Sequence, residues 1–207
     1  MNATEFTALL ILCTATSFTP GPNTTLSAAL AANLGLRVAM RFVLAVVLGW
    51  GLLFSLCAAG LGALVVAVPA LRLGVQVVGV GYLLWLAFRL GTSSALAQAD
   101  AARLKITFLQ GVALQFLNIK AWMLALTVVA GWLAGREDAA QRFALLLPVV
   151  LAFGFFSNLL YALVGSLLRH WLAGPYRAGV ATGVRLRWFN RAMAAVLVLT
   201  AYWMATL

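Results

Sequence analysis

Two long apolar segments of this chain are interrupted near their centres by polar, helix-disrupting residues. The first interruption is Thr19-Pro20-Gly21-Pro22-Asn23 and the second is Gln115-Phe116-Leu117-Asn118-Ile119-Lys120. A helix that gives up backbone hydrogen bonds inside a bilayer leaves polar groups in hydrocarbon, each at a cost of several kcal/mol. Such breaks persist where they are buried in protein or line a water-filled cavity. These two occupy matching places in the two halves of the chain, and paired interruptions of that kind point to a transporter's binding site. The expectation is a protein that moves a small polar solute across a membrane.

Composition agrees with a membrane setting. Hydrophobic residues make up 65% of the 207 and charged residues only 9%. Soluble domains carry about a quarter charged. The length suits one transmembrane domain over residues 1–207, spent almost wholly on spans. A net charge of +10 raises nucleic acid as a partner. That reading is set aside because the basic residues cluster between apolar segments, where membrane orientation accounts for them. Cys13 and Cys57 lie inside apolar segments without metal-like spacing and read as small buried hydrophobes. There is no P-loop, no His-Glu-x-x-His and no metal-ligand cluster. The chain is therefore expected to be no enzyme, with no catalytic residues, metal or cofactor, and ATP-driven transport would need another subunit. Met1-Asn2-Ala3-Thr4-Glu5 lacks the basic cluster of a cleaved signal peptide, so the first apolar segment is expected to stay as a span.

Six spans are expected, at about Glu5–Leu34, Phe42–Val68, Leu71–Leu90, Ile106–Ala134, Phe143–Leu168 and Phe189–Leu207. The short Pro69-Ala70 link predicts a tight helical hairpin between the second and third. The first and fourth segments, at roughly 30 residues each, would make straight helices of about 45 Å, longer than a hydrocarbon core of about 30 Å needs. Each reads better as two half-helices. Pro20 and Pro22 lack amide hydrogens and clash with the preceding turn, and Gly21 between them permits unusual backbone angles.

With the N-terminus outside, the inner connections hold ten basic residues: Arg37, Arg41, Arg89, Arg103, Lys105, Arg169, Arg177, Arg185, Arg187 and Arg191. The outer ones hold three, Arg72, Arg136 and Arg142. The bias predicts both termini outside. Three spans per half then run in opposite senses. The expected fold is an all-α integral membrane protein of six transmembrane helices, built as two inverted three-helix repeats (about 1–100 and 101–207) with the first and fourth helices broken. The stretch Arg169–Arg191 mixes arginine with Trp171, Tyr176, Trp188 and Phe189, turns at Gly174-Pro175, and reads as a membrane-surface connector facing anionic lipid heads. His170 there reads as an interfacial side chain. Gly131 and Gly135 fit small-xxx-small spacing and read as helix packing.

Lys120 is the basic residue placed well inside a span. A charge there costs at least about 2.5–3.5 kcal/mol on insertion scales and normally faces the bundle interior or an aqueous cavity. It suits a substrate carboxylate or proton coupling; the alternative is a structural lysine bonded to carbonyls freed by the break. Asn118 can cap the broken helix or bind solute. Asn23, Thr24 and Thr25 open the second half of the first segment, whose free amides and positive dipole end favour an anionic group. The candidate substrate-binding set is thus Asn23, Thr24, Thr25, Asn118 and Lys120, with Thr19, Pro20, Gly21 and Pro22 as the break or gate. Gln76, Tyr82, Ser157, Asn158 and Tyr161 read as helix-to-helix hydrogen-bonding residues, each worth about 0.6 kcal/mol. No mid-membrane carboxylate is present to carry a proton.

At these residues the chain resembles the lysine-exporter (LysE/RhtB-type) family of amino-acid exporters. Thr19-Pro20-Gly21-Pro22-Asn23, followed by Gly35 and Arg37, matches a Pro-Gly-Pro and Asn or Asp pattern near the N-terminus. Asn118-Ile119-Lys120-Ala121-Trp122 matches a pattern with Asn-Pro-Lys-Ala, and Gly79 with Tyr82-Leu83 also fits. The likeness covers essentially the whole chain. Ile119 stands where the family has proline, which predicts a milder second break. Arg37-Val38-Ala39-Met40-Arg41 lacks a glycine often seen after the basic residue. The resemblance implies export of amino acids or related small zwitterionic metabolites from the cytoplasm, driven by the proton motive force, in a bacterial inner membrane. A small six-span chain leaves room for a homodimer.

Two other readings compete: a thiol-redox membrane protein using Cys13 and Cys57, and an accessory membrane subunit without transport of its own. Both cysteines fall in the first half, which counts against the redox reading. The topology has a direct test. In cysteine-free protein, a single cysteine in the Arg169–Arg191 stretch is expected to resist a membrane-impermeant thiol reagent in intact cells and to react after permeabilisation. Labelling in intact cells would invert the arrangement.

Overall fold

The computed structural model describes residues 1–93, 106–174, 176–177, 180–181 and 183–206. Arg103 and Lys105, Pro175, and the side chains of Tyr176 and Arg177 lie outside what is described. Apart from a two-residue antiparallel ladder pairing Tyr176–Arg177 with Val180–Ala181, the described elements are helical.

Helix α1 (Ala3–Phe18) starts at a capping box. Glu5 N donates to Asn2 Oδ1 at 2.8 Å, and Asn2 N donates back to Glu5 Oε2 at 3.0 Å. The helix stops at Thr19, which is extended, as a residue before proline prefers. Helix α2 (Pro22–Leu34) restarts with Pro22 at its first position, where a missing amide costs nothing. Gly35, at φ 89°, ends α2 and lets α3 (Leu36–Ala58) begin at once. The second span thus starts six residues earlier than its apolar run, and Arg37 and Arg41 are helical. Left-handed Gly60, at φ 105°, ends α3. A short helix α4 (Leu61–Ala67) follows, and extended Val68 and Pro69 begin α5 (Pro69–Gly91). The tight hairpin expected at Pro69-Ala70 is therefore replaced by a short helix between two turns.

After the undescribed stretch come α6 (Phe108–Leu117) and α7 (Ile119–Val128), which runs into a π-helical turn, Val129–Leu133. The axis bends by 66° at the break between α6 and the segment beyond it. The break is therefore sharp without a proline; extended Asn118 (φ −98°, ψ 97°) suffices. Gly131 and Gly135 meet nothing within 4 Å of where a side chain would start, so their spacing is no packing seam; Gly135 turns at φ 70°. Helix α8 (Ala139–Ala173) and helix α9 (Val184–Ala205) complete the chain. The arginine-rich stretch from Arg185 to Arg191 belongs to the first turns of α9.

By length and apolarity, three of the described helices (α3, α5 and α8) can cross a membrane, or four with the bent α6–α7 segment counted as one span. Their outer faces expose Leu44, Leu48, Val77, Phe88, Leu160 and Leu167, as lipid-facing surfaces do. Along one end of the bundle, arginines lie over exposed indoles. Arg89 sits 4.5 Å from the Trp85 ring centre, Arg185 4.8 Å from Trp171 and Arg191 5.3 Å from Trp188. Tryptophan and arginine concentrate in this way at membrane interfaces. At the opposite end Glu5 meets Arg142 at 3.1 Å and Arg136 at 3.4 Å, and Arg142 also meets Asp138 at 2.7 Å. The Arg142 hydrogen bond holds the Asp138 carboxyl below its ordinary pKa. That small contribution is present at neutral pH and lost on acidification through the lowered value.

Helix α2 sits at the centre, packed on α8, α3 and α9, and is buried continuously from Thr24 to Asn33. Polar pairs lock it there. Ser27 Oγ donates to Asn158 Oδ1 at 3.0 Å, and the amides of Asn33 and Asn190 bond each other at 2.7 and 3.0 Å. The closest approaches are at glycine. A Cβ on Gly165 of α8 would lie 2.2 Å from Ala28 O of α2, and one on Gly49 of α3 would lie 2.6 Å from Val112 O of α6. Gly165→Ala must therefore push α8 off α2. Thermal unfolding in detergent should show a loss of about 1–3 kcal/mol, the usual cost of overpacking. Gly81→Ala, where no atom lies within 4 Å, should be neutral or slightly stabilising in the same assay.

Candidate functional site

A break in a buried helix frees carbonyls that need donors. At the first break Phe18 O accepts from the Tyr161 hydroxyl at 3.0 Å, and Thr19 O accepts from Lys120 Nζ at 2.8 Å. At the second, Phe116 O accepts from the Trp122 indole at 2.9 Å. Lys120 thus bonds a carbonyl freed at the other break, 101 residues away. The two breaks meet.

They are joined a second time by amides. Asn23 Nδ2 donates to Gln115 Oε1 at 2.8 Å, and Gln115 Nε2 donates to Asn23 Oδ1 at 3.1 Å. Gln115 is fully buried and also donates to Gly111 O at 3.2 Å. Around this crossing lies a pocket of about 70 Å³. Thr16, Ser17, Thr19, Gly21, Pro22, Asn23 and Thr24 form one wall, and Asn118, Lys120, Ala121 and Leu124 face them. Trp50 on α3 and Gly154, Ser157 and Asn158 on α8 close the sides.

Of the residues singled out from the sequence, Thr19, Gly21, Pro22, Asn23, Thr24, Asn118 and Lys120 line this pocket. Thr25 does not; it is buried in the α2 packing, and its amide donates to Gly21 O at 2.9 Å. Pro20 is exposed and shapes the break without lining the pocket. Neither asparagine side chain caps a helix. Asn23 is the second residue of α2 and spends its amide on Gln115; the helix entry is held by Gly21 N donating to Thr24 Oγ1 at 3.0 Å. Asn118 stands at the N-cap of α7 but makes no side-chain cap, and its Oδ1 is buried without a partner.

Electrostatically the pocket is one-sided. The Lys120 side chain lies across Gly21 at the start of α2; a Cβ there would sit 3.3 Å from Nζ. The positive end of the α2 dipole and an ammonium therefore converge, with no carboxylate among the described lining residues. Such a place holds an anionic group well. Lys120 is also the titratable group of the lining. Cys13 and Cys57 are free thiols buried in an apolar cluster and do not line the pocket.

Gln115 and the supports Tyr161 and Trp122 were not singled out from the sequence as site residues. One signal was available for the first two: Gln115 lies one helical turn before Asn118, and Tyr161 lies three residues after Asn158, on the same helix face.

Comparison with known proteins places the chain in a family. Residues 14–206 match the model of the family described as LysE type translocator. A cysteine/O-acetylserine efflux protein of Salmonella typhimurium is 32% identical over 154 residues, covering 74% of this chain and 78% of that one. A protein of the same description from Escherichia coli K12 is 29% identical over 170 residues, covering 82% and 86%. No solved structure matches the chain. A match over nearly the full length, with its paired motifs meeting at one pocket, makes this multi-pass membrane protein a member of the LysE type translocator family.

Proposed function

We propose that the chain is a secondary exporter of small zwitterionic amino acids, of the size of cysteine or O-acetylserine, across a bacterial inner membrane. The observation that carries this reading is the placement of Lys120 at the N-terminus of α2 in a pocket whose described lining holds no carboxylate. The substrate carboxylate takes the place of Thr19 O on Lys120 and faces the amides that open α2 at Asn23 and Thr24. Thr19 O is then released, and one of the two ties between the breaks opens. Binding and rearrangement are thereby coupled through the same ammonium. The proton motive force is the proposed source of energy, and Lys120 is the lining group able to take part by titrating.

The packing supports inverted repeats. The first span packs on the fifth through α2 and α8, and the fourth packs on the second through α6 and α3. These pairs exchange when the halves are exchanged, as do the Gly165 and Gly49 approaches. The partner contacts across the breaks, α1 on α8 and α7 on α3, are sparser. Helices α2 and α6 belong to the side carrying most arginines, and α1 and α7 to the other. With both termini outside, the pocket is reached from outside and sealed inside by Ser27–Asn158 and Asn33–Asn190. Exchanging the tight and loose packings would open it inward.

The test is binding of an amino acid against its carboxamide analogue. Wild type is expected to prefer the acid by about 10- to 100-fold, the value of a hydrogen bond to a charged group. Lys120→Met should remove most of that preference while the protein stays folded in detergent. Lys120→Arg should restore it in part, since guanidinium is wider and its donors lie in a planar fork. If wild type shows no preference, or Lys120→Met keeps it in full, Lys120 is structural.

A further inference from the structure

The carboxylate end of a zwitterion is provided for; its ammonium end needs acceptors, and the described lining offers no acid. Many of the acceptors near the crossing are already engaged. Phe18 O is taken by Tyr161, Thr19 O by Lys120 and Phe116 O by Trp122. Gly21 O accepts from Thr25 N at 2.9 Å and from Thr24 Oγ1 at 3.2 Å. The backbone carbonyl of Asn118 accepts from the amides of Ala121 and Trp122 at 2.8 and 3.2 Å. Leu117 O is pressed against Gly79, where a Cβ would lie 2.2 Å away. Asn23 and Gln115 satisfy each other, and Asn158 Oδ1 is taken by Ser27.

Among the described lining residues, one side-chain oxygen is buried without a partner. Asn118 lines the pocket, is 3% exposed, and its Oδ1 has no hydrogen-bond partner. A buried polar atom left unpaired is unfavourable, and such atoms call for an explanation. The end torsion of an asparagine is soft, so the amide can turn to offer Oδ1 to a solute in the pocket. Asn118 is also two residues from Lys120, at the hinge between α6 and α7. One short segment then presents an acceptor and a cation together, matching the two charged groups carried by the α-carbon of an amino acid.

We propose that Asn118 Oδ1 accepts the ammonium group of the amino-acid substrate, so that recognition of the amine rests on a neutral amide. This rests on the exporter reading above and assigns the end of the substrate that reading leaves open. A neutral acceptor holds the ammonium by a hydrogen bond to a charged group. It adds no fixed negative charge beside Lys120 that would compete for it.

The experiment uses the purified full chain and three ligands: L-cysteine, 3-mercaptopropionate, which lacks the amine, and cysteamine, which lacks the carboxylate. Wild type should bind cysteine more tightly than either. Asn118→Leu should lower the preference for cysteine over 3-mercaptopropionate at least about tenfold, as expected for one hydrogen bond to a charged group. It should leave the preference over cysteamine within about twofold. Lys120→Met should do the reverse. Asn118→Asp keeps the acceptor positions and should hold or raise the preference for the amine, which decides the matter if Asn118→Leu does not fold. Wild-type preference for the amine that survives in Asn118→Leu, or is lost in Asn118→Asp, overturns the assignment while the exporter reading stands. A wild type that binds none of the three overturns both.

Discussion

Everything in this bundle follows from the need to satisfy a backbone that leaves the helix inside apolar surroundings. At the two breaks the carbonyls of Phe18, Thr19 and Phe116 are set free where water cannot be assumed. The fold supplies donors: Tyr161 from α8 and Lys120 from the opposite break, both distant in the chain, and Trp122 from the first turns of α7. Those bonds draw the two interruptions together. The place where the backbone is least regular becomes the place where polar groups converge, and a polar pocket forms in a protein with few charges.

The scaffold holds the breaks firmly packed on one side. Helix α2 is buried along nearly its whole length, gripped at Gly165 and tied by asparagine and serine across to α8 and α9. Helix α1 packs mainly on α8, and its burial is confined to Leu9 and Cys13. The Glu5 and Arg142 ion pair secures its far end. A hinge between a gripped and a loosely held half-helix suits a transport cycle, because small residues at the crossing allow the packing to change partner.

Much of this was legible in the sequence. Pro20, Gly21 and Pro22 announce the first break because each forbids or frees particular backbone angles, and Asn118 with Lys120 announces the second by polarity alone. What was not legible depends on tertiary contact. The Lys120 bond to Thr19 O joins residues 101 apart, across the two breaks. The Asn23–Gln115 pair joins residues 92 apart, and no local pattern could have specified it. Helix α3 reaches back to Leu36 because Gly35 can take a positive φ, which apolar periodicity does not register. Likewise α9 absorbs Arg185 to Arg191, since arginines at an interface lie over indoles and leave the helix intact.

The central claim is that the two breaks form one solute site reached from the side of the chain termini. Its most direct measurement places a single cysteine at Thr24 in cysteine-free protein and follows its reaction with a membrane-impermeant thiol reagent in intact cells. The account predicts measurable labelling from outside, slowed severalfold by an excess of an amino-acid substrate such as O-acetylserine. Failure of the reagent to reach position 24 from outside, or labelling that no amino acid slows, would contradict it.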